Sequence, residues 1–221
     1  MKKTLQLALL FLATLGLLRA AAAETRLLEM RTIDARVVRV KLDGVMEVRI
    51  RQGNVPSLSI TADKRYIADV STAQSGDTLH IETEVRGFKL GPSSIRADLV
   101  LPNLREVSSE GFGSTDITGF KGEELTLSLE GAGSIKLVGD YRKLNASLGG
   151  VGSMQLWIGN NERAELDLQG AGSVVLGGRG RTLKASLGGL GSLNAQQFEA
   201  DAVNLELSGL GNALVNAHTN A

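Results

Sequence analysis

The chain has no cysteine. That excludes disulfides, thiolate metal sites, a cysteine nucleophile and the lipid-accepting cysteine of a bacterial lipoprotein. Histidine occurs only at His80 and His218. A metal centre or a histidine-based triad needs convergent partners that the pattern does not supply, so both read as surface residues and no metal or cofactor is expected. Aromatics make up 4% of 221 residues, which leaves Leu, Val, Ile and Ala to build the core. Charge of one sign is also lacking: 24 basic and 24 acidic residues balance, and nothing suggests a nucleic-acid partner.

A run long enough to span a bilayer is missing as well. The apolar stretch over residues 5–18 falls short of the ~20 residues required. It follows Lys2 and Lys3 and precedes an Ala-x-Ala site within residues 20–23, so residues 1–23 read as a secretory signal cleaved after Ala23. Cleavage removes Lys2, Lys3 and Arg19 from the 24 basic residues, leaving 21 against 24 acidic, a net charge near −3. A periplasmic or secreted protein without a membrane span in the mature chain is expected.

Glycine is abundant, at 27 residues, and it is ordered. Gly-x-Gly followed by Ser or Asn begins at Gly111, Gly131, Gly150, Gly170, Gly189 and Gly209, with first glycines 19 or 20 residues apart. Such regularity marks one supersecondary unit stacked on itself. Between the glycines, apolar residues alternate with polar ones, as in Leu125/Leu127/Leu129, Ile135/Leu137 and Leu144/Ala146/Leu148. Each copy therefore carries two strands with one apolar side, and stacking lays those residues into internal columns. A longer period of 39 residues is superimposed: Asn145-Ala-Ser-Leu-Gly-Gly150 matches Lys184-Ala-Ser-Leu-Gly-Gly189. One copy per physical turn is favoured over two, because about 20 residues suits a β-helix rung.

Upstream, alternation at Val38/Val40/Leu42, Met46/Val48/Ile50, Leu58/Ile60, Leu79/Ile81 and Ile95/Ala97/Leu99/Leu101 predicts separate short strands. Residues 62–73 are expected to hold an irregular connection or one helical turn, and residues 87–94 a loop. The expected division is a signal over 1–23 and a single domain over 24–221, irregular β over 24–106 and glycine-ladder repeats over 107–221.

A Gly-x-Gly near a strand can cradle phosphate, but a dinucleotide fingerprint needs a third glycine and a following helix. The calcium-binding β-roll needs an aspartate and a nine-residue period, both missing here. The glycines are therefore expected to supply positive φ at rung corners. Trp157 points outward by alternation, between Val138 and Gly177 in its column. It is the candidate ligand-binding residue, as a sugar-stacking platform or as a brace over the glycine. Glu130, Asp167 and Glu206 are expected on one outer side in alternate copies. They make the chain's alternative function a polysaccharide lyase or hydrolase using Glu130, Asp167 or Arg163. The favoured function is a non-enzymatic, adhesin-like binder of an unidentified cell-envelope polymer or protein. The last rung is expected to be covered by the tail, by a partner, or by a second copy in a homo-oligomer joined through the solenoid end.

The stretch Leu99-Val-Leu-Pro-Asn-Leu-Arg-Glu-Val-Ser-Ser-Glu-Gly-Phe-Gly-Ser114 and the ladder after it resemble the DUF2807 family, the autotransporter adhesin head or GIN domain, over about residues 33–215. The resemblance implies an all-β fold, a right-handed parallel β-helix or β-solenoid, in exported bacterial proteins. The family more often writes Gly-Ser-Gly-Asp, so any role of that aspartate is absent from this chain.

Overall fold

The computed structural model describes residues 26–84 and 95–217; the expected signal over 1–23, the loop over 87–94 and His218 lie outside the described residues. Eight short strands come first: β1 (Arg26–Arg31), β2 (Arg39–Asp43), β3 (Val45–Gln52), β4 (Ser57–Asp63), β5 (Val70–Ser75), β6 (Thr78–Thr83), β7 (Ile95–Leu101) and β8 (Glu106–Ser109). A single 3-10 turn, Ile67–Asp69, lies between β4 and β5, where an irregular connection or a helical turn was expected. Six ladder strands follow: β9 (Phe112–Leu129), β10 (Ala132–Leu148), β11 (Val151–Leu168), β12 (Ala171–Leu187), β13 (Ser192–Leu207) and β14 (Asn212–Ala217).

Each ladder strand pairs in parallel with the next at an offset of one copy: Gly113 with Gly133, Gly133 with Gly152 and Gly152 with Gly172. One copy is therefore one turn of a β-solenoid. Each rung from β9 to β13 crosses a first face just after its glycines, bends at a corner where the register shifts, and returns along a second face. The apolar columns fill the space between the faces: Ile117, Leu137, Leu156 and Leu176 from the first, Leu129, Leu148, Leu168 and Leu187 from the second, all buried. A side-chain period of two with one inward face is what the alternation dictates.

The N-terminal strands prolong both faces. On the first face β3 pairs in parallel with β9 and β7 with β3; on the second, β8 pairs with β9, β2 with β8 and β6 with β2. Antiparallel strands then finish this end, β4 on β7 and β1 on β4 across the first face and β5 on β6 across the second. The alternation in the sequence begins at Val38 and does not reveal β1, whose residues are mostly exposed and lack alternation in burial. Arg31 of β1 donates to the Val70 carbonyl at 3.0 Å and to Thr72 Oγ1 at 3.1 Å, tying the two faces together. A charged side chain placed between the faces also discourages a further strand from adding there.

The glycine ladder works differently from the expectation. Among its glycines only Gly113 has φ in the left-handed region. The constraint is space: a Cβ on Gly111, Gly131, Gly150, Gly170, Gly189 or Gly209 would come within 3.0 Å of the carbonyl oxygen of the glycine one rung before. Gly44 stands at the base of this column, so Asp43-Gly44 is its first corner. The stacked backbones come too close there for any side chain.

A second correction concerns rings. Few aromatics do not mean an aliphatic core throughout, because Phe120, Tyr141 and Phe198 are fully buried at the register-shifted corner. The rings of Tyr141 and Phe198 lean over Gly122 and Gly180 of the preceding rung. Burial pushes the Tyr141 phenol up, and its hydroxyl donates to the Leu104 carbonyl at 3.0 Å. The buried Asn161 amide donates to the Tyr141 carbonyl at 2.9 Å.

Candidate functional site

The same device, a long side chain lying over a glycine in the neighbouring rung, shapes the outer surface. Val138, Trp157 and Gly177 occupy successive rungs of one outward column on the first face, as alternation predicted. The six-membered edge of the Trp157 indole lies over Gly177, where a Cβ would clash with the ring. The expected brace is therefore real, and Trp157 nonetheless remains 39% exposed beside a half-exposed Val138.

Next to this pair, at the register-shifted corner, is an open groove of ≈ 410 Å³. Gly139, Gly159 and Gly178 line it, and the missing side chains leave its floor low. Trp157 and Val138 form an apolar wall, while Lys121 and Asp140 contribute an ion pair with Nζ and Oδ2 3.6 Å apart. Groove, half-exposed ring and paired charges together present what a carbohydrate needs: a flat apolar surface for C–H faces and nearby donors and acceptors for hydroxyls. Sequence reasoning found Trp157 but missed Lys121 and Asp140, which the register shift between Val138 and Asp140 brings to the groove.

The second face carries another depression, of ≈ 360 Å³, whose lining includes the polar residues Asn145, Glu165, Asp167, Gln169 and Lys184. The expected shared acid column is formed by Asp167 and Glu206 but not by Glu130. Asp167 stacks with Ser147, Ser186 and, two rungs away, Glu206. Glu130 stands two residues further along the rung, at the position that Gly149 and Gln169 fill in later copies. Arg163 belongs to a third column, between Lys143 and Thr182.

Each of these groups has a local partner. Arg163 pairs with Glu165, Asp167 Oδ1 accepts from Gln169 Nε2 at 2.7 Å, and Glu130 Oε1 accepts from Ser128 Oγ at 3.0 Å. The structure therefore does not bring the three residues of the enzymatic alternative together. His80 sits exposed on the outer side of β6. Among the described residues no three His, Cys, Asp or Glu side chains converge as metal ligands, and no helix is long and apolar enough to cross a membrane.

The model of the DUF2807 family, described as "Putative auto-transporter adhesin, head GIN domain", matches residues 38–174 and 157–221. The chain belongs to this family. Similar solved structures share the fold. A "putative adhesin" from Parabacteroides distasonis has a TM-score of 0.73 at 17% identity, covering 88% of this chain and 83% of its own. A "putative adhesin" from Bacteroides fragilis gives 0.66 at 17% identity, with 86% and 97% covered. A "Putative lipid binding protein" from Parabacteroides distasonis gives 0.54 at 17% identity, with 87% and 98% covered. No curated protein matches the chain.

Proposed function

We propose that this GIN-domain protein is exported and acts as a non-enzymatic, adhesin-like binder of a cell-envelope polysaccharide, gripping it in the groove beside Trp157. The observation that carries the reading is the half-exposed indole on the wall of an open groove whose lining also includes the Lys121–Asp140 ion pair. Family membership supports an envelope or extracellular setting. The residue 1–23 signal supplies the route out, and residues 24–221 then fold as one domain.

The groove suits a polymer better than a small metabolite, since it is open and shallow and a chain can run through it. Glycan arrays and pull-down with purified envelope polysaccharide test the proposal. Wild-type protein is expected to retain polysaccharide, and Trp157→Ala is expected to weaken retention tenfold or more while leaving the solenoid folded. Retention no better than background, or retention untouched by the substitution, sinks it. Export is tested separately: N-terminal sequencing of protein from the periplasmic or culture fraction should begin at Glu24.

A further inference from the structure

The middle residue of each Gly-x-Gly points outward, so the ladder builds a narrow apolar ridge along the corner between the two faces. Its members are Phe112, Ala132, Val151, Ala171, Leu190 and Leu210, each linked to the rung before by its backbone N–H. The large members are among the most exposed apolar residues of the chain, at 49% for Phe112, 61% for Val151, 66% for Leu190 and 88% for Leu210. Size alternates along the ridge from Phe112 to Leu190, placing large residues two rungs apart with alanine between them, and Leu210 adds a further large residue in the last rung. At about 4.8 Å per rung, the teeth are roughly 10 Å apart with notches midway.

We propose that the ridge is the contact surface of an antiparallel homodimer. A two-fold axis perpendicular to the solenoid reverses the rung order. With all six rungs overlapped, Val151 meets Ala171 of the second copy, Leu190 meets Ala132, and Phe112 meets Leu210. Every interior tooth then enters a notch. In a parallel pairing, by contrast, teeth meet teeth and alanines face alanines across voids.

Charge is compatible with this arrangement. The second-face column beside the ridge carries Glu110 and Glu130 near one end and Gly188 and Ser208 near the other. Reversal sets Glu110 against Ser208 and Glu130 against Gly188, so the acids never face each other. The column on the other side is Ser114, Ser134, Ser153, Ser173, Ser192 and Asn212, which is uncharged. Six rungs span about 25 Å, and a strip including both flanks buries on the order of 1,000 Å² in total, the lower limit for a specific interface. The dimer is therefore weak, with a dissociation constant of roughly micromolar or above. Two grooves per particle would raise the avidity of a polymer binder, although the dimer itself does not depend on that function.

The absence of native cysteine makes the test clean. Phe112→Cys mixed with Leu210→Cys should give a disulfide-linked dimer under mild oxidation, while neither variant alone should cross-link, because like positions lie about five rungs apart across the two-fold axis. Sedimentation of the native sequence should show a concentration-dependent dimer that Leu190→Asp with Val151→Asp abolishes without lowering the melting temperature. Cross-linking of Phe112→Cys with itself would overturn the antiparallel register. A monomer at every concentration, or a dimer indifferent to the Asp substitutions, would overturn the ridge as the interface.

Discussion

Gly149 and Gly150 are chain neighbours with opposite tolerances. A Cβ at Gly150 would run into the backbone carbonyls of Gly131 and Glu130, which neighbouring rungs hold in place. At Gly149 the nearest atoms are those of the carboxylate end of Glu130, a flexible exposed side chain. Gly150→Ala should therefore cost roughly 3 kcal/mol or prevent folding, whereas Gly149→Ala should change stability by less than about 1 kcal/mol. Chemical denaturation of the two variants measures the difference, and equal costs would show that backbone stacking does not set the ladder.

Asp63 is the other informative single residue. It accepts from Arg65 at both carboxylate oxygens, 3.2 Å from Nε and 2.9 Å from Nη2, and from the Arg65 backbone N–H at 3.0 Å. These side-chain bonds, then the backbone bond, hold its carboxyl down at about 2. The depressed folded-state pKa means that its contribution is complete above the ordinary value of 3.8 and is lost as the pH falls towards 2. Asp63→Asn should lower stability at neutral pH and flatten the pH dependence of unfolding between about pH 4 and 2. An unchanged acid limb would mean that the bonded pair does not persist in solution.

At the scale of elements, stability depends on columns in which a long side chain covers the glycine one rung away. Glu130 over Gly149 and Gln169 over Gly188 alternate in the second-face column next to the corner glycines. That alternation is the physical content of the 39-residue period. Trp157 over Gly177 is the largest outward instance and yields a double-mutant prediction. Gly177→Ala should destabilise the native sequence through the clash with the indole yet be nearly neutral in the Trp157→Ala background, a coupling of about 1 kcal/mol or more. Additive effects in a denaturation cycle would mean that the ring does not lie on the glycine.

The rungs, their inward columns and the outward direction of Trp157 were legible because period two and a fixed 19–20-residue offset are written directly in the residue order. The acid column was misread at Glu130, which stands two residues further along the rung than Asp167 and Glu206 do. Glu130 and Asp167 fall in different columns because Leu127-Ser-Leu-Glu130 aligns with Leu166-Asp-Leu-Gln169, so Glu130 matches Gln169 and Asp167 matches Ser128. Careful alignment of the copies could have found this. The groove could not have been found that way: it depends on register shifts at the far corner, which move Lys121 opposite Asp140 and disturb the constant offset.

The two ends of the whole molecule differ. At the N-terminal end, antiparallel β1 and β5 lie over both faces, and Arg31 joins them. At the other end β14 pairs mainly along the first face of β13. The second-face stretch of β13 has no strand beyond it among the described residues, and Leu207 there is half-exposed where its counterparts in earlier rungs are buried. In a stacked array each rung is stabilised chiefly by its neighbours, so opening should begin where a neighbour is missing and spread inward. Amide hydrogen exchange should accordingly be fastest in β14 and the second half of β13, slower in β12, and slowest in β9 and β10, which are covered on both sides. The antiparallel closure at β1 and β5 should hold β3 and β6 nearer to the slow group than to β13. Protection uniform along the axis would instead mean that the solenoid opens as one unit and that the unequal ends carry no energetic consequence.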